Sequence, residues 1–136
     1  FCKPEDSKKM HEEILSNAKY IFESLEIPFR VIDICTGDIG TVAARKFDIE
    51  AWMPSTNKWK EVVSASNCES YQSVRLNMRY RTSEGTSFPH TLNSTAVATT
   101  RALAAILENN QTENGSVVIP KVLRKWMGNQ ETIESK

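Results

Sequence analysis

Glu61 and Ser64 stand three residues apart. A carboxylate and a hydroxyl so placed at a strand end can hold a divalent cation together with phosphate oxygens. Magnesium favours this arrangement, taking one or two protein oxygens beside substrate phosphates. Arg101 lies in a stretch otherwise rich in alanine, beside Ala98, Ala102 and Ala105. A guanidinium there needs a partner if it is buried, because a lone buried charge is strongly unfavourable. Asn93 and Thr95 add an amide and a hydroxyl just before that stretch. Together these residues are candidates for one site. Each has a plainer alternative: a solvated strand edge for Glu61, a snorkelling side chain for Arg101 and a helix cap for Asn93.

Periodicity supplies the elements that must position them. Met10, Ile14, Ala18, Ile21 and Leu25 mark an amphipathic helix over 4–25, with Asp6 and Ser7 as caps and Pro28 as its stop. Residues 29–35 read as a strand whose Ile32 and Ile34 face the core. Gly37 and Gly40 then suggest a tight turn. Residues 41–46 read as a short helical turn or connection. Strands over 49–53 and 59–64 form an antiparallel hairpin around a loop at 54–58. A helix over 68–81 carries Tyr71, Val74 and Met78 on one face, and its Arg75, Arg79 and Arg81 read as a solvated basic stretch. A polar loop over 82–87 and a short strand over 88–93 precede the strongest helix, 95–110, capped by Asn93 or Ser94. A strand over 117–119, a helical turn with Val122, Leu123 and Trp126, and a frayed polar tail over 129–136 complete the chain. The sum is an α+β fold, a mainly antiparallel sheet flanked by helices.

Composition narrows the function classes. The chain has 136 residues, with 17 Lys+Arg balancing 17 Asp+Glu, which argues against a free-standing nucleic-acid binder. Hydrophobic residues at 40% and charged residues at 25% fit a globular protein. No apolar run approaches the length of a membrane span. Cys2, Cys35 and Cys68 are odd in number and irregularly spaced, so they predict free thiols in a reducing compartment. With only His11 and His90 to join them, a structural zinc is not expected. The chain starts at Phe1, which suggests a piece of a longer protein.

Longer strings carry a resemblance. PFRVIDICTGDIG (28–40), KFDIEAWMPSTNKWKEVVSASN (46–67), HTLNSTAVATTRALAAILENNQ (90–111) and GSVVIPKVLRKWMG (115–128), with the FCKPEDS start, resemble seryl-tRNA synthetases. The likeness is to the C-terminal part of their class II catalytic domain. The third string is similar to motif 3, a strand followed by a helix bearing an arginine. The resemblance implies residues 1–128 as that portion and 129–136 as a tail. It places Glu61, Val62, Val63 and Ser64 in an ATP-binding stretch, with Glu61 and Ser64 as magnesium ligands. It places Asn93 and Thr95 toward serine, and Arg101 on the ATP γ-phosphate as the catalytic arginine.

The implied reaction joins serine to ATP as seryl-adenylate, then passes the seryl group to the tRNA 3' end. ATP and Mg2+ are the implied cofactors. Serine, tRNA(Ser) and a second copy of the parent are the implied partners, with no membrane. The implied compartment is the cytoplasm, with a mitochondrion or plastid as the alternative. In that family, motif 1, motif 2, the tRNA-gripping arm and a Thr-x-Glu serine-binding stretch precede the point matching Phe1. The chain alone is therefore expected to be inactive and to expose unpaired sheet edges. NSTAVATT departs from the glycine-rich bacterial string toward archaeal and some eukaryotic versions. A non-catalytic synthetase-like binding module and a relative that charges a carrier protein are the competing functions.

Overall fold

Phe47, Ile49, Ala51 and Met53 alternate with polar or amphipathic residues, and this alternation organises the molecule. The computed structural model describes residues 1–135. Its central sheet is antiparallel throughout, in the order β1 (Phe29–Asp33), β2 (Arg45–Met53), β3 (Lys58–Glu69), β6 (Thr91–Ser94). Ladder partners share a face of a sheet, so register sorts the side chains. One face carries Phe29, Ile49, Ala51 and Val63, and it packs against α1 (Ser7–Ser24) and α3 (Thr99–Asn109). Phe22 and Ile49 at its centre are 0% exposed. Full burial of such side chains contributes about 1.5–3 kcal/mol each. The other face carries Arg30, Asp48, Glu50, Ser64, Ser66 and Asn93.

A bulge changes this pattern where it matters. Ile49 pairs with Val63 but Glu50 pairs with Glu61, leaving Val62 as an extra residue on β3. Val62 and Val63 are therefore both buried, at 1% exposed each, and Glu61 joins the polar face. The register also corrects the strand at 29–35. Phe29 packs against the core, while Ile32 sits beside Asp48 on the polar face.

Helix α1 lies within the expected 4–25 but starts only at Ser7, after a 3-10 turn over Pro4–Asp6, and its stripe widens to include His11 and Phe22. Asp6 makes no side-chain cap bond, and the Ser7 hydroxyl donates to Pro4 O at 3.0 Å. The helix ends before Pro28, where Glu26 adopts the left-handed conformation at φ 56°. His11 belongs to the core: its Nε2–H donates to Ala65 O at 2.9 Å and its ring lies 4.8 Å from Phe47.

Several expected elements differ. Residues 41–44 form turns, and β2 already begins at Arg45. The helix expected over 68–81 shrinks to α2 (Tyr71–Arg75). Cys68 stays in β3 because the pairing with β6 runs on to Glu69, and left-handed Asn77 (φ 50°) ends the helical stretch. The polar loop over 82–87 belongs to a hairpin of β4 (Tyr80–Thr82) and β5 (Gly85–Ser87), where Gly85 takes φ +138°. The tail does not fray through the described residues. Beyond β7 (Val117–Val118) and α4 (Lys121–Arg124), β8 (Thr132–Ile133) returns to pair with β7. An Arg124–Glu131 ion pair at 2.6 Å fastens this return.

Candidate functional site

The five polar candidates converge because one edge of β3 recruits the segment after β6. Ser66 pairs with Asn93 and Ala65 with Ser94, and the ladder then gives way to single contacts. Thr95 N–H donates to Ser64 O at 3.1 Å, and Ala98 N–H to Val62 O at 3.0 Å. These bonds satisfy β3 carbonyls that would otherwise be unpaired. They also hold residues 95–98 out of the helix. Helix α3 thus starts at Thr99, with extended Ala98 as its N-cap and no side-chain cap bond. The capping expected of Asn93 or Ser94 is not used, because both belong to β6.

Arg101 completes the same edge from the first turn of α3. Its Nη1 donates to Glu61 O at 2.8 Å and to Glu61 Oε1 at 3.4 Å. Both side chains are about half exposed, 54% and 49%, so the guanidinium is neither deeply buried nor free. The partner its charge requires is Glu61. Ser64 lies on the same face as Glu61, beyond the bulge. The side chains of Val62 and Val63 point into the core, so only their backbone can meet a ligand.

Asn93 borders a separate cavity of about 350 Å3, lined also by Gly40, Thr41, Lys46, Ser66 and Cys68. Its Nδ2 donates to Cys68 Sγ at 3.6 Å. Burial pushes the Cys68 thiol above its ordinary pKa, against the opposing effect of hydrogen bonds from Thr91 and Asn93. Gly40 adopts φ +79° in the turn that forms one wall. Lys46 closes that turn by donating to Asp38 O at 3.0 Å. The space is small, polar-edged and next to the Glu61–Ser64 stretch, which suits a small polar ligand beside a phosphate group.

Two oxygen donors on an open face fit magnesium, which completes its shell with water and phosphate. No group of three His, Cys, Asp or Glu side chains capable of holding a metal occurs among the described residues. A site here therefore depends on ligand oxygens. Asp48, the ladder partner of Ser64, lies just outside the strand expected over 49–53, and the sequence does not mark it as a candidate. It is 8% exposed and its Oδ1 has no hydrogen-bond partner. An acid alternating with Glu50 inside an apolar strand is the signal that could have found it. The most apolar groove, about 380 Å3 between α1, α3 and α4, presents Ile21, Leu103, Ile106 and Leu123 and has little capacity for this chemistry.

Comparison with known proteins gives a consistent family. The serine–tRNA ligase of Methanospirillum hungatei is 63% identical over 134 residues, which cover 96% of this chain and 32% of that protein. The chain thus spans about a third of the length of that curated relative. The crystal structure of seryl-tRNA synthetase from Pyrococcus horikoshii complexed with ATP superposes with a TM-score of 0.95 at 54% identity, covering 100% of this chain and 31% of that one. The cytoplasmic serine–tRNA ligase from Naegleria fowleri in complex with AMP gives a TM-score of 0.91 at 42% identity, covering 98% and 33%. The shared fold is the antiparallel sheet flanked by helices. The family described as tRNA synthetase class II core domain (G, H, P, S and T) matches residues 1–110, and the chain belongs to it.

Proposed function

We propose that this chain is the C-terminal part of the catalytic domain of a serine–tRNA ligase, including motif 3, and that its polar sheet face receives ATP. The observation that carries this is the union of Arg101 with Glu61 at the β3 edge, with Ser64 on the same face. Residues 1–128 form the catalytic portion and 129–136 the tail.

In this reading Glu61 and Ser64 supply the protein oxygens for Mg2+. A bound magnesium ion would screen the triphosphate charge. Val62 and Val63 set the backbone of that stretch from within the core. Glu61 turns from Arg101 when ATP arrives, and Arg101 then meets the γ-phosphate, where a planar guanidinium suits paired phosphate oxygens. Asn93 and Thr95 hold serine beside it. A serine carboxylate oxygen bonds to the α-phosphorus as the bond to the β-phosphate oxygen breaks, giving seryl-adenylate and pyrophosphate. A terminal ribose hydroxyl of the tRNA then takes the seryl group, releasing AMP. The chain's own contribution is positioning and charge placement. Polar contacts to the substrate hydroxyl reject analogues that lack it.

The whole protein would work as a cytoplasmic homodimer and grip tRNA(Ser) through an N-terminal arm. Among the described residues no helix is long and apolar enough to cross a membrane. The test is ATP–pyrophosphate exchange by the full natural protein carrying this sequence. Exchange that requires serine, and that alanine does not support, is expected. No serine-dependent exchange would overturn the proposal and favour a binding module. The isolated 136 residues should show none, because the resemblance puts motif 2 of the ATP site outside them.

A further inference from the structure

One oxygen of the buried Asp48 carboxylate has no donor among the described residues. The residue is 8% exposed, and its Oδ1 accepts no hydrogen bond. The nearby cations on its face are engaged elsewhere. Lys46 donates to Asp38 O at 3.0 Å, and Arg30 is held by Glu50 at 2.6 Å. Its ladder partner on β1 is Ile32, which has no polar side chain to offer. Leaving such an oxygen unmet is unfavourable, so it calls for a donor in the working state.

A hydroxyl stands directly opposite. Asp48 pairs with Ser64 across β2 and β3, and side chains so paired have Cβ atoms about 4.5–5.5 Å apart. We propose that Asp48 is a positioning residue for Ser64: its free oxygen accepts the Ser64 hydroxyl proton in a hydrogen bond, turning the hydroxyl oxygen toward the divalent cation shared with Glu61 and ATP. The inference rests on the proposed ATP site and adds a residue that orients it. A hydroxyl that lends electron density to a cation becomes a stronger donor, and an acceptor behind it fixes its direction. No proton is transferred in this arrangement.

Manganese binding tests this without relying on turnover. The full natural protein is titrated with Mn2+ at saturating ATP, following the free-ion electron paramagnetic resonance signal, beside thermal melting. D48A is expected to weaken Mn2+ binding about 10–100-fold, the usual effect of losing a partner behind a metal ligand. In an S64A background the same change should have no further effect, because Asp48 acts through that hydroxyl. D48N, which keeps an acceptor but not the charge, should recover part of the loss and reads the same coupling if D48A fails to fold. Unchanged Mn2+ affinity in D48A, or an equal loss with and without Ser64, would overturn the inference while E61Q still weakens binding. No Mn2+–ATP binding by the unsubstituted protein would instead defeat the proposed ATP site, and this inference with it.

Discussion

Arg101 holds Glu61 at two points, the backbone carbonyl at 2.8 Å and the carboxylate at 3.4 Å. The carbonyl contact ties α3 to the edge of β3, whereas the looser carboxylate contact can be exchanged. This division matters for function. Exchanging the second contact for phosphate and metal leaves the first in place, so a ligand can be received without unseating the helix.

Replacing Arg101 should therefore separate binding from stability. R101A is expected to lower kcat/KM for ATP about 10–100-fold, the range for losing a hydrogen bond to a charged group. R101K keeps the charge but not the planar fork, and should recover only part of it. The half-exposed ion pair contributes about 0–1 kcal/mol and the bond to Glu61 O about 1 kcal/mol more, so thermal melting should fall only modestly. Pyrophosphate exchange and a melting curve on the same preparations check both parts.

His11 makes the opposite prediction, because its role is in the core. H11A removes the donor to Ala65 O and the ring against Phe47. A loss of about 2–5 kcal/mol is expected from the cavity together with the lost hydrogen bond. Urea unfolding measures it. A change no larger than that of a surface substitution would show that the hydrogen bond has little weight.

Acid stability should depend on Asp33. The hydrogen bond from Arg45 Nη2, 2.8 Å long, holds the Asp33 carboxyl below its ordinary pKa. A depressed native pKa gives stability that is present above the ordinary value, about 3.9, and is lost as pH falls through the lowered one. Both groups are about half exposed, so the effect is small. D33N should flatten the urea-midpoint curve between neutral pH and acid. Superimposable curves for the two proteins would contradict the coupling.

Thiol chemistry should follow exposure. Cys35 is exposed, Cys2 is half-buried and Cys68 is buried. Burial raises the pKa of both Cys2 and Cys68, which keeps less of each as the reactive thiolate. Alkylation of the native protein followed by mass spectrometry should label Cys35 first and Cys68 last. Early labelling of Cys68 would mean that the cavity beside Asn93 opens.

Much of the fold is legible in the chain itself. The apolar alternation from Ile49 to Met53 predicts the hairpin, and the spacing from Met10 to Leu25 predicts α1. The features that escape are decided by pairing between distant strands. Residues 95–98 fall in the expected helix, yet β3 carbonyls bind Thr95 and Ala98 N–H outside it and delay α3 to Thr99. Cys68 joins a helical pattern in sequence and a strand in space, since β6 continues the ladder beside it. The polar candidates are visible as residue types, whereas the bulge at Val62 that puts Glu61 and Ser64 on one face is not. Asp48 shows in sequence only as an acid inside an apolar strand; its significance comes from facing Ser64.

The most direct test is a crystal of the full natural protein grown with MnCl2 and a non-hydrolysable ATP analogue, measured for anomalous scattering. One manganese peak is expected within coordination distance of Glu61 and Ser64, about 2.1 Å as for magnesium, with the terminal phosphate on Arg101. A nucleotide bound with its metal away from both oxygens, and with Arg101 still closed on Glu61, would contradict the proposed site.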